Sequence, residues 1–286
     1  MHVTPVADAC SFLTVAAAVL DRNPAANNLP LGIAQALIDR PDSYAEAQFW
    51  LVEHGSDVVG AALRTPPYPL VVADPLHPAA VGALAPVLAG TDPDLPGVTA
   101  NEPWASRFAE AWSAATTQPW HLSLAQGVYV LSAIRSPTPA PGAPRSATDA
   151  DRPLLERWMH AFESEALGQM LRDEHTTARA LDGRLGPGAT GGFSIWVVDE
   201  RPVSLTGWMP MPAGARVGPV YTPPAERGKG YASNLVADVS ARMLEGGAPA
   251  CFLYADLGNP TSNAIYRRIG YEQVATSSMI VFGDRG

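Results

Sequence analysis

The stretch "RGKGYASNLVADVSARMLEGG", residues 227–247, combines a glycine-rich start with a helical pattern. Its apolar residues recur at the spacing of one helix face, at Ala232, Leu235, Val239 and Met243. A short apolar run, "VGPVY" (217–221), precedes it, and the pair Gly246 and Gly247 predicts the end of the helix. Small residues at a strand–loop–helix junction let backbone N–H groups converge, and the helix dipole adds about half a positive charge. The sequence therefore predicts an anion-binding loop.

Two common phosphate-binding loops do not fit this junction. The P-loop pattern would need glycine at position 223 and serine or threonine at 230, where the chain has Pro223 and Gly230. The dinucleotide-binding pattern would need a third glycine at 233, where the chain has Ser233. Lys229, the single lysine of the chain, lies between the two glycines. Its charge either attracts phosphate or is simply solvated.

A second motif follows at the expected distance. The segment "CFLYADLGNPTSNAIYRRIGYEQV" (251–274) reads as an apolar strand, a turn, a short helix that ends at Gly270, and another strand. Together the two motifs have the forms R-x-x-G-x-A and N-x6-Y-x3-G-[FY], carried by Arg227, Gly230 and Ala232, then Asn259, Tyr266, Gly270 and Tyr271. In order and spacing they resemble the GCN5-related N-acetyltransferase (GNAT) superfamily. The resemblance covers residues 143–286 well.

This resemblance implies an enzyme that moves an acetyl or other short acyl group from acyl-CoA to an amine in one ternary complex. Backbone groups of the loop would bind the pyrophosphate, and the preceding strand would pair with the pantetheine arm and polarise the thioester oxygen. Tyr266 would act as the general acid that protonates the departing sulfur. The implied cofactor-binding residues are Val220, Tyr221, Thr222, Arg227, Gly228, Lys229, Gly230, Tyr231, Ala232, Ser233, Asn259, Ser262 and Tyr266.

The general base is not identified by the sequence. Asp256 is close to the second motif, but it lies at a strand end and can equally cap the turn. Glu163 and Glu165 lie in "TDADRPLLERWMHAFESEAL" (148–167), which fits the opening helix pair of the family with Thr148 or Asp149 as its cap. A solvated helix face is the alternative reading of both glutamates.

The two halves of the chain have similar patterns. Residues 48–63 and 193–208 each read as a strand, a polar turn and a second strand, with Trp50 and Trp196 in equivalent places. The helix predicted at 76–90 has no glycine-rich entry. We therefore expect an α/β (α+β) fold of two GNAT-like domains, each a mixed, mostly antiparallel sheet flanked by helices. The expected boundaries are 1–134 for a degenerate first domain, 135–144 for a Pro-rich linker and 145–286 for the acyl-CoA-binding domain.

Composition limits the partners. A net charge of −9 argues against nucleic acid, and no apolar run approaches the roughly 20 residues of a membrane-spanning helix. Cys10 and Cys251 are too few for a disulfide framework, and no metal-binding spacing of histidines occurs, so no metal is expected. The expected setting is the cytoplasm of a bacterium. A monomer is plausible because tandem halves can act as a pseudo-dimer.

Three functions remain open at this stage. The first is acyl-CoA-dependent transfer to a primary amine of a small molecule or peptide. The second is an aminoacyl-tRNA-dependent transferase of the doubled-GNAT type, which would call for a basic surface. The third is a non-catalytic CoA-binding sensor or scaffold.

Overall fold

The computed structural model describes residues 1–166, 178, 181–186 and 189–284. The strands are β1 (His2–Val6), β2 (Gln48–His54), β3 (Asp57–Arg64), β4 (Leu70–Val72), β5 (Gly97–Asn101), β6 (Trp120–Leu131), β7 (Ala143–Ser146), β8 (Gly192–Val198), β9 (Arg201–Met211), β10 (Gly214–Tyr221), β11 (Cys251–Asp256) and β12 (Glu272–Phe282). The helices are α1 (Ala9–Val15), α2 (Ala17–Leu20), α3 (Asn28–Asp39), α4 (Ala79–Thr91), α5 (Trp104–Thr116), α6 (Arg152–Ala166), α7 (Tyr231–Glu245) and α8 (Pro260–Ile269). Leu167, the last residue of the predicted helix pair 148–167, lies outside the described residues.

The chain divides into two compact units, Met1–Val128 with Gln273–Gly286, and Tyr129–Glu272. The first unit is built on strands in the order β1-β2-β3-β4-β5-β12. Its β4 and β5 are parallel, whereas the pairs β1–β2, β2–β3, β3–β4 and β5–β12 are antiparallel. One core packs α4 and α5 against this sheet around Phe108 and Trp112, and a second core gathers α1 to α3 around Phe12 and Leu20.

The second unit has the strand order β11-β10-β9-β8-β7. Its β10 and β11 are parallel, and the remaining pairs along this order are antiparallel. Adjacent residues of β8 face opposite ways. Ile195 packs with Leu155 and Trp158 of α6, whereas Trp196 packs with Tyr231 and Leu235 of α7. The two helices therefore cover opposite faces of the sheet.

The two predicted hairpins are present. Trp50 lies opposite Ala62 in the pair β2–β3, and Trp196 lies opposite Ser204 in the pair β8–β9. Each hairpin also contains a register shift close to its turn. The expected fold class, with a mixed and mostly antiparallel sheet flanked by helices in each unit, is confirmed.

The compact units do not follow the expected boundaries along the chain. Ala143 and Pro144, placed in the linker by the sequence, belong to β7, an edge strand where proline is tolerated. The last strand of the chain, β12, pairs with β5 and so belongs mostly to the first unit. The end of β6 belongs to the second unit, where Tyr129 and Leu131 are core residues. None of the described helices is long and apolar enough to cross a membrane.

Candidate active site

The predicted anion-binding loop connects β10 to α7. It contains a short 3-10 turn (Pro224–Glu226) and two glycines, Gly228 and Gly230, with φ of 77° and 83°. Side chains other than glycine rarely adopt this left-handed region. A Cβ on Gly228 would meet no atom within 4 Å, so the backbone conformation, and not lack of space, requires glycine there.

Gly230 is the N-cap residue of α7, and no side chain caps this helix start. The first N–H groups of a helix have no acceptor within the helix, and they point outward from its start. The N–H groups of Tyr231, Ala232 and Ser233 are therefore presented by the loop without a capping side chain. This arrangement is the one that binds anions in proteins.

The two cations of the loop are paired with carboxylates. Arg227 donates from Nε to the carbonyl oxygen of Thr222 at 2.9 Å and from Nη2 to Glu165 Oε2 at 2.6 Å. Lys229 donates from Nζ to Glu226 Oε2 at 2.8 Å. All of these side chains lie at the surface, where ion pairs are weak and exchange readily. Lys229 is therefore paired with Glu226 rather than simply solvated, but this surface ion pair is weak.

The strand before the loop is irregular around Gly218 and Pro219. The register between β9 and β10 shifts between Val217 and Val220, on either side of Gly218 and Pro219. Parallel pairing between β10 and β11 is recorded for Ala215 with Cys251 and for Arg216 with Phe252. The rest of β10, residues 217–221, does not take part in the parallel pairing with β11. Its backbone groups on this side are therefore placed to pair with an extended ligand.

Tyr221 ends β10 in a small polar cluster that the sequence did not predict. Burial and the charge of Glu165 raise the pKa of its phenol, and Arg227 opposes this shift. The Tyr221 ring packs against Trp158 of α6, with ring centroids 6.1 Å apart. Glu165 therefore links the end of α6 to both the strand and the loop. No local sequence pattern reports such a contact between distant residues.

The second motif is organised around the start of α8. Asn259 is the N-cap residue, and its Oδ1 accepts a hydrogen bond from the Ser262 N–H at 3.1 Å. Asp256 caps the preceding turn, since its Oδ1 accepts from the Gly258 N–H at 2.8 Å. The neighbouring Asn263, which the sequence analysis did not single out, donates to the carbonyl oxygens of Asp256 and Asn259, each at 2.7 Å. Asn259 therefore has a structural role whether or not it also binds a ligand.

Tyr266 lies on α8 and only 8% of it is exposed. Its ring centroid lies 6.3 Å from that of Tyr129 and 6.1 Å from that of Tyr271. Burial raises the pKa of Tyr266 to about 12, so the phenol stays protonated at neutral pH. Cys251 is also buried, and burial raises the pKa of its thiol to about 11, so the thiol stays protonated at neutral pH.

Each of the three candidate bases has a different contact. Asp256 is committed to the turn, and Glu165 is paired with Arg227. Glu163 is mostly buried on its side chain and lies 3.9 Å from His160 Nδ1. None of these contacts identifies a general base.

Two further features of the second unit and of the described residues concern possible ligands: metal-binding groups and clefts. Among the described residues, no group of histidine, cysteine, aspartate and glutamate could hold a metal ion. A shallow cleft of about 410 Å³ lies at the C-terminal end of α7, lined among others by Met211, Met243 and Pro249. This cleft contains none of the predicted site residues, and the anion-binding loop lies at the other end of the helix.

Comparisons with known proteins agree with the geometry. A family model described as "FR47-like protein" matches residues 195–280, which include both motifs. No curated protein sequence matches the chain. Among solved structures, a GCN5-related N-acetyltransferase from Kribbella flavida is 19% identical with a TM-score of 0.59, covering 89% of this chain and 96% of its own.

Two other structures match over the entire length of both chains. A tandem GNAT protein from the clavulanic acid biosynthesis pathway is 15% identical with a TM-score of 0.61, and a GNAT-family acetyltransferase from Colwellia psychrerythraea is 9% identical with a TM-score of 0.56. At such identities the likeness concerns the fold. The chain has the GNAT fold throughout, and the resemblance to this superfamily in its tandem form is confirmed.

Proposed function

We propose that the protein is an N-acyltransferase that moves an acetyl or other short acyl group from acyl-CoA to a primary amine. The observation that carries this proposal is the uncapped start of α7 directly after a strand that leaves its parallel neighbour. A free row of helix N–H groups suits the pyrophosphate, and an unpaired strand edge beside it suits the extended pantetheine arm.

Each part of the substrate has a matching group in the second unit. Gly228 to Ser233 would bind the pyrophosphate through main-chain N–H groups, assisted by Arg227 and Lys229 once phosphate competes for them. Val220 to Thr222 would pair with the pantetheine arm, and one N–H there would polarise the thioester oxygen. Asn259 and Ser262, at the start of α8, would hydrogen-bond the same arm, with the Asn259 amide N–H₂ as the donor.

The reaction then needs few further groups. The amine, as its neutral form, attacks the thioester carbonyl, and the C–S bond breaks to give the amide and a thiolate. Tyr266 would donate a hydrogen bond or proton to that sulfur. Because burial raises the pKa of Tyr266 to about 12, complete transfer of its proton is less favourable than donation of a hydrogen bond. The amine loses a proton to Glu163, Glu165 or a chain of waters.

The first unit would not bind a second acyl-CoA. Its counterpart of α7 is α4, whose N-cap residue is Pro78, which has no N–H. The Ala79 N–H is already bonded to His77 Nδ1 at 3.2 Å, and the Ala80 N–H is bonded to the His77 carbonyl oxygen. The first two N–H groups of α4 are therefore already bonded to His77.

The direct test is thiol release from acetyl-CoA in the presence of a panel of small amines and peptide N-termini. We expect one class of amine to give a rate well above hydrolysis, with a protein that runs as a monomer. Stabilisation by CoA without transfer to any amine would favour the sensor or scaffold. Transfer that depends on aminoacyl-tRNA, with no stabilisation by CoA, would favour the doubled-GNAT aminoacyl transferase.

A further inference from the structure

We propose that Asn234 is a positioning residue for acyl-CoA, and that residues 138–142 of the Pro-rich segment act through it on the anion-binding loop. This inference rests on the function proposed above. It goes beyond that function because neither Asn234 nor the Pro-rich segment belongs to the two motifs.

Asn234 links the loop to the Pro-rich segment with one amide group. Its Nδ2 donates to the carbonyl oxygen of Gly230 at 3.0 Å and to the carbonyl oxygen of Thr138 at 2.9 Å. The Gly230 oxygen also accepts the backbone N–H of Asn234 at 3.1 Å. Both lone pairs of this carbonyl are therefore used, and its direction is fixed from two sides.

The direction of that carbonyl determines where a phosphate donor points. The peptide between Gly230 and Tyr231 is planar, and in a trans peptide the N–H points opposite to the C=O. A Gly230 carbonyl held toward Asn234, within the helix, therefore directs the Tyr231 N–H outward from the helix start. This N–H is one of the uncapped donors that suit an anion.

The Pro-rich segment is a fixed support for Asn234. Trp196 donates from Nε1 to the Pro141 carbonyl oxygen at 2.7 Å, and the Trp196 ring is buried. Ala140 packs on the cluster that contains Trp196, Tyr231 and Leu235. Gly142 has a φ of 96°, and a Cβ there would lie 2.2 Å from the Val197 carbonyl oxygen. The backbone of this segment thus lies directly on β8, and it holds the Thr138 oxygen in place for Asn234.

A positioning role predicts a specific kinetic pattern. The Tyr231 N–H would contact the phosphates equally in the bound substrate and in the transition state, so a misdirected N–H weakens binding without slowing the chemical step. The net worth of one hydrogen bond corresponds to an affinity change of about three- to tenfold. The Michaelis constant for acyl-CoA should rise by that factor, whereas kcat should be unchanged.

Three single variants of the full chain separate the possibilities. Asn234→Ala removes the amide, and Trp196→Phe keeps a buried ring but removes the donor to Pro141. Asp238→Ala is the matched control, since Asp238 lies one turn further along α7 and pairs only with Arg242 among the contacts of the described residues. For each variant the dissociation constant of CoA is measured by calorimetry, beside kcat, KM and the melting temperature.

We expect Asn234→Ala to weaken CoA binding about three- to tenfold, Trp196→Phe to weaken it less, and Asp238→Ala to leave it unchanged. Equal CoA affinity in Asn234→Ala and Asp238→Ala would overturn the inference, as would a fall in kcat at constant KM. If the unaltered protein itself does not bind CoA, the proposed function fails and this inference fails with it. If the unaltered protein binds and Asn234→Ala binds equally well, only this inference fails.

Discussion

The protonation of Tyr266 decides which chemistry this residue can contribute. With a pKa of about 12 it remains a hydroxyl donor throughout the range in which an enzyme is assayed. Tyr266→Phe keeps the ring between Tyr129 and Tyr271 and removes only the hydroxyl. We expect kcat to fall about 10²-fold, the lower end of the range for general acids, with little change in CoA affinity.

The control for this variant is Tyr271→Phe, which removes a buried hydroxyl bonded to Ser240 at 2.8 Å. It should cost stability but not turnover. The pH profile of the unaltered protein should show no loss of activity from Tyr266 below about pH 10, because its folded-state pKa lies higher still. A Tyr266→Phe protein that is as active as its parent would remove this residue from the mechanism.

Gly228 permits a test of the anion site that changes only one charge. Asparagine and aspartate both tolerate the left-handed conformation better than other side chains, and they have almost the same shape. Because the space beside Gly228 is open, both should fold. Gly228→Asp should bind CoA at least about tenfold more weakly than Gly228→Asn, since a carboxylate near the phosphates repels them. Titration of both variants with CoA at low and high salt checks this prediction. The difference in affinity between them should become smaller at high salt, because salt screens the repulsion. Equal affinities at low salt would place the phosphates elsewhere.

At the scale of elements, the contribution of the junction between β7 and α6 to the stability of the fold should depend on pH. Arg145 of β7 donates twice to Asp151, at 2.7 Å each, and Asp151 closes a capping box with Thr148. These hydrogen bonds, led by those from Arg145, lower the pKa of Asp151 to about 2. A carboxyl whose pKa is lowered on folding stabilises the protein above its unfolded pKa, here near 3.8, and that stabilisation is lost as the pH falls toward 2.

Asp151→Asn should therefore lower the melting temperature at pH 7 and have a diminishing effect between about pH 4 and pH 2. The expected size is small, about 1 kcal/mol or less, because the Arg145 side chain is substantially exposed. Thermal unfolding of both proteins across this pH range measures the difference. A difference that stays constant down to pH 2 would show that the carboxylate charge is not involved.

The elements of the site differ in how far the sequence could specify them. The strand–loop–helix around Gly230 and the short helix ending at Gly270 are local structures, and glycines and apolar spacing mark them directly. The bond from Arg227 to Glu165, and those from Asn234 and Trp196 to the Pro-rich segment, join residues far apart in the chain. Polar contacts of this kind have no periodicity, so only the folded structure reveals them.

Pairing partners of strands are also weakly encoded. The sequence predicts a strand after Gly270, but it does not identify the strand that pairs with it. The sequence therefore placed β12 with the second domain, whereas its partner β5 belongs to the first unit.

At the scale of the whole molecule, we predict one CoA site per chain. The first two N–H groups of α4 are bonded to His77 and its N-cap residue Pro78 has no N–H, whereas the start of α7 is uncapped. Calorimetric titration with CoA should give a stoichiometry of one, and the Gly228→Asp variant should weaken that single binding event. Two equal sites per chain would contradict the proposed division of roles.

The pairing of β12 with β5 also sets a condition on synthesis. During translation the N-terminal part of the chain emerges first, yet its sheet lacks a strand until Ser277 and its neighbours reach Asn101. The edge of β5 stays open for most of that time, and open sheet edges invite pairing with other chains. This protein should therefore depend on chaperones, or on slow and dilute conditions, more than two separately completed domains of the same size.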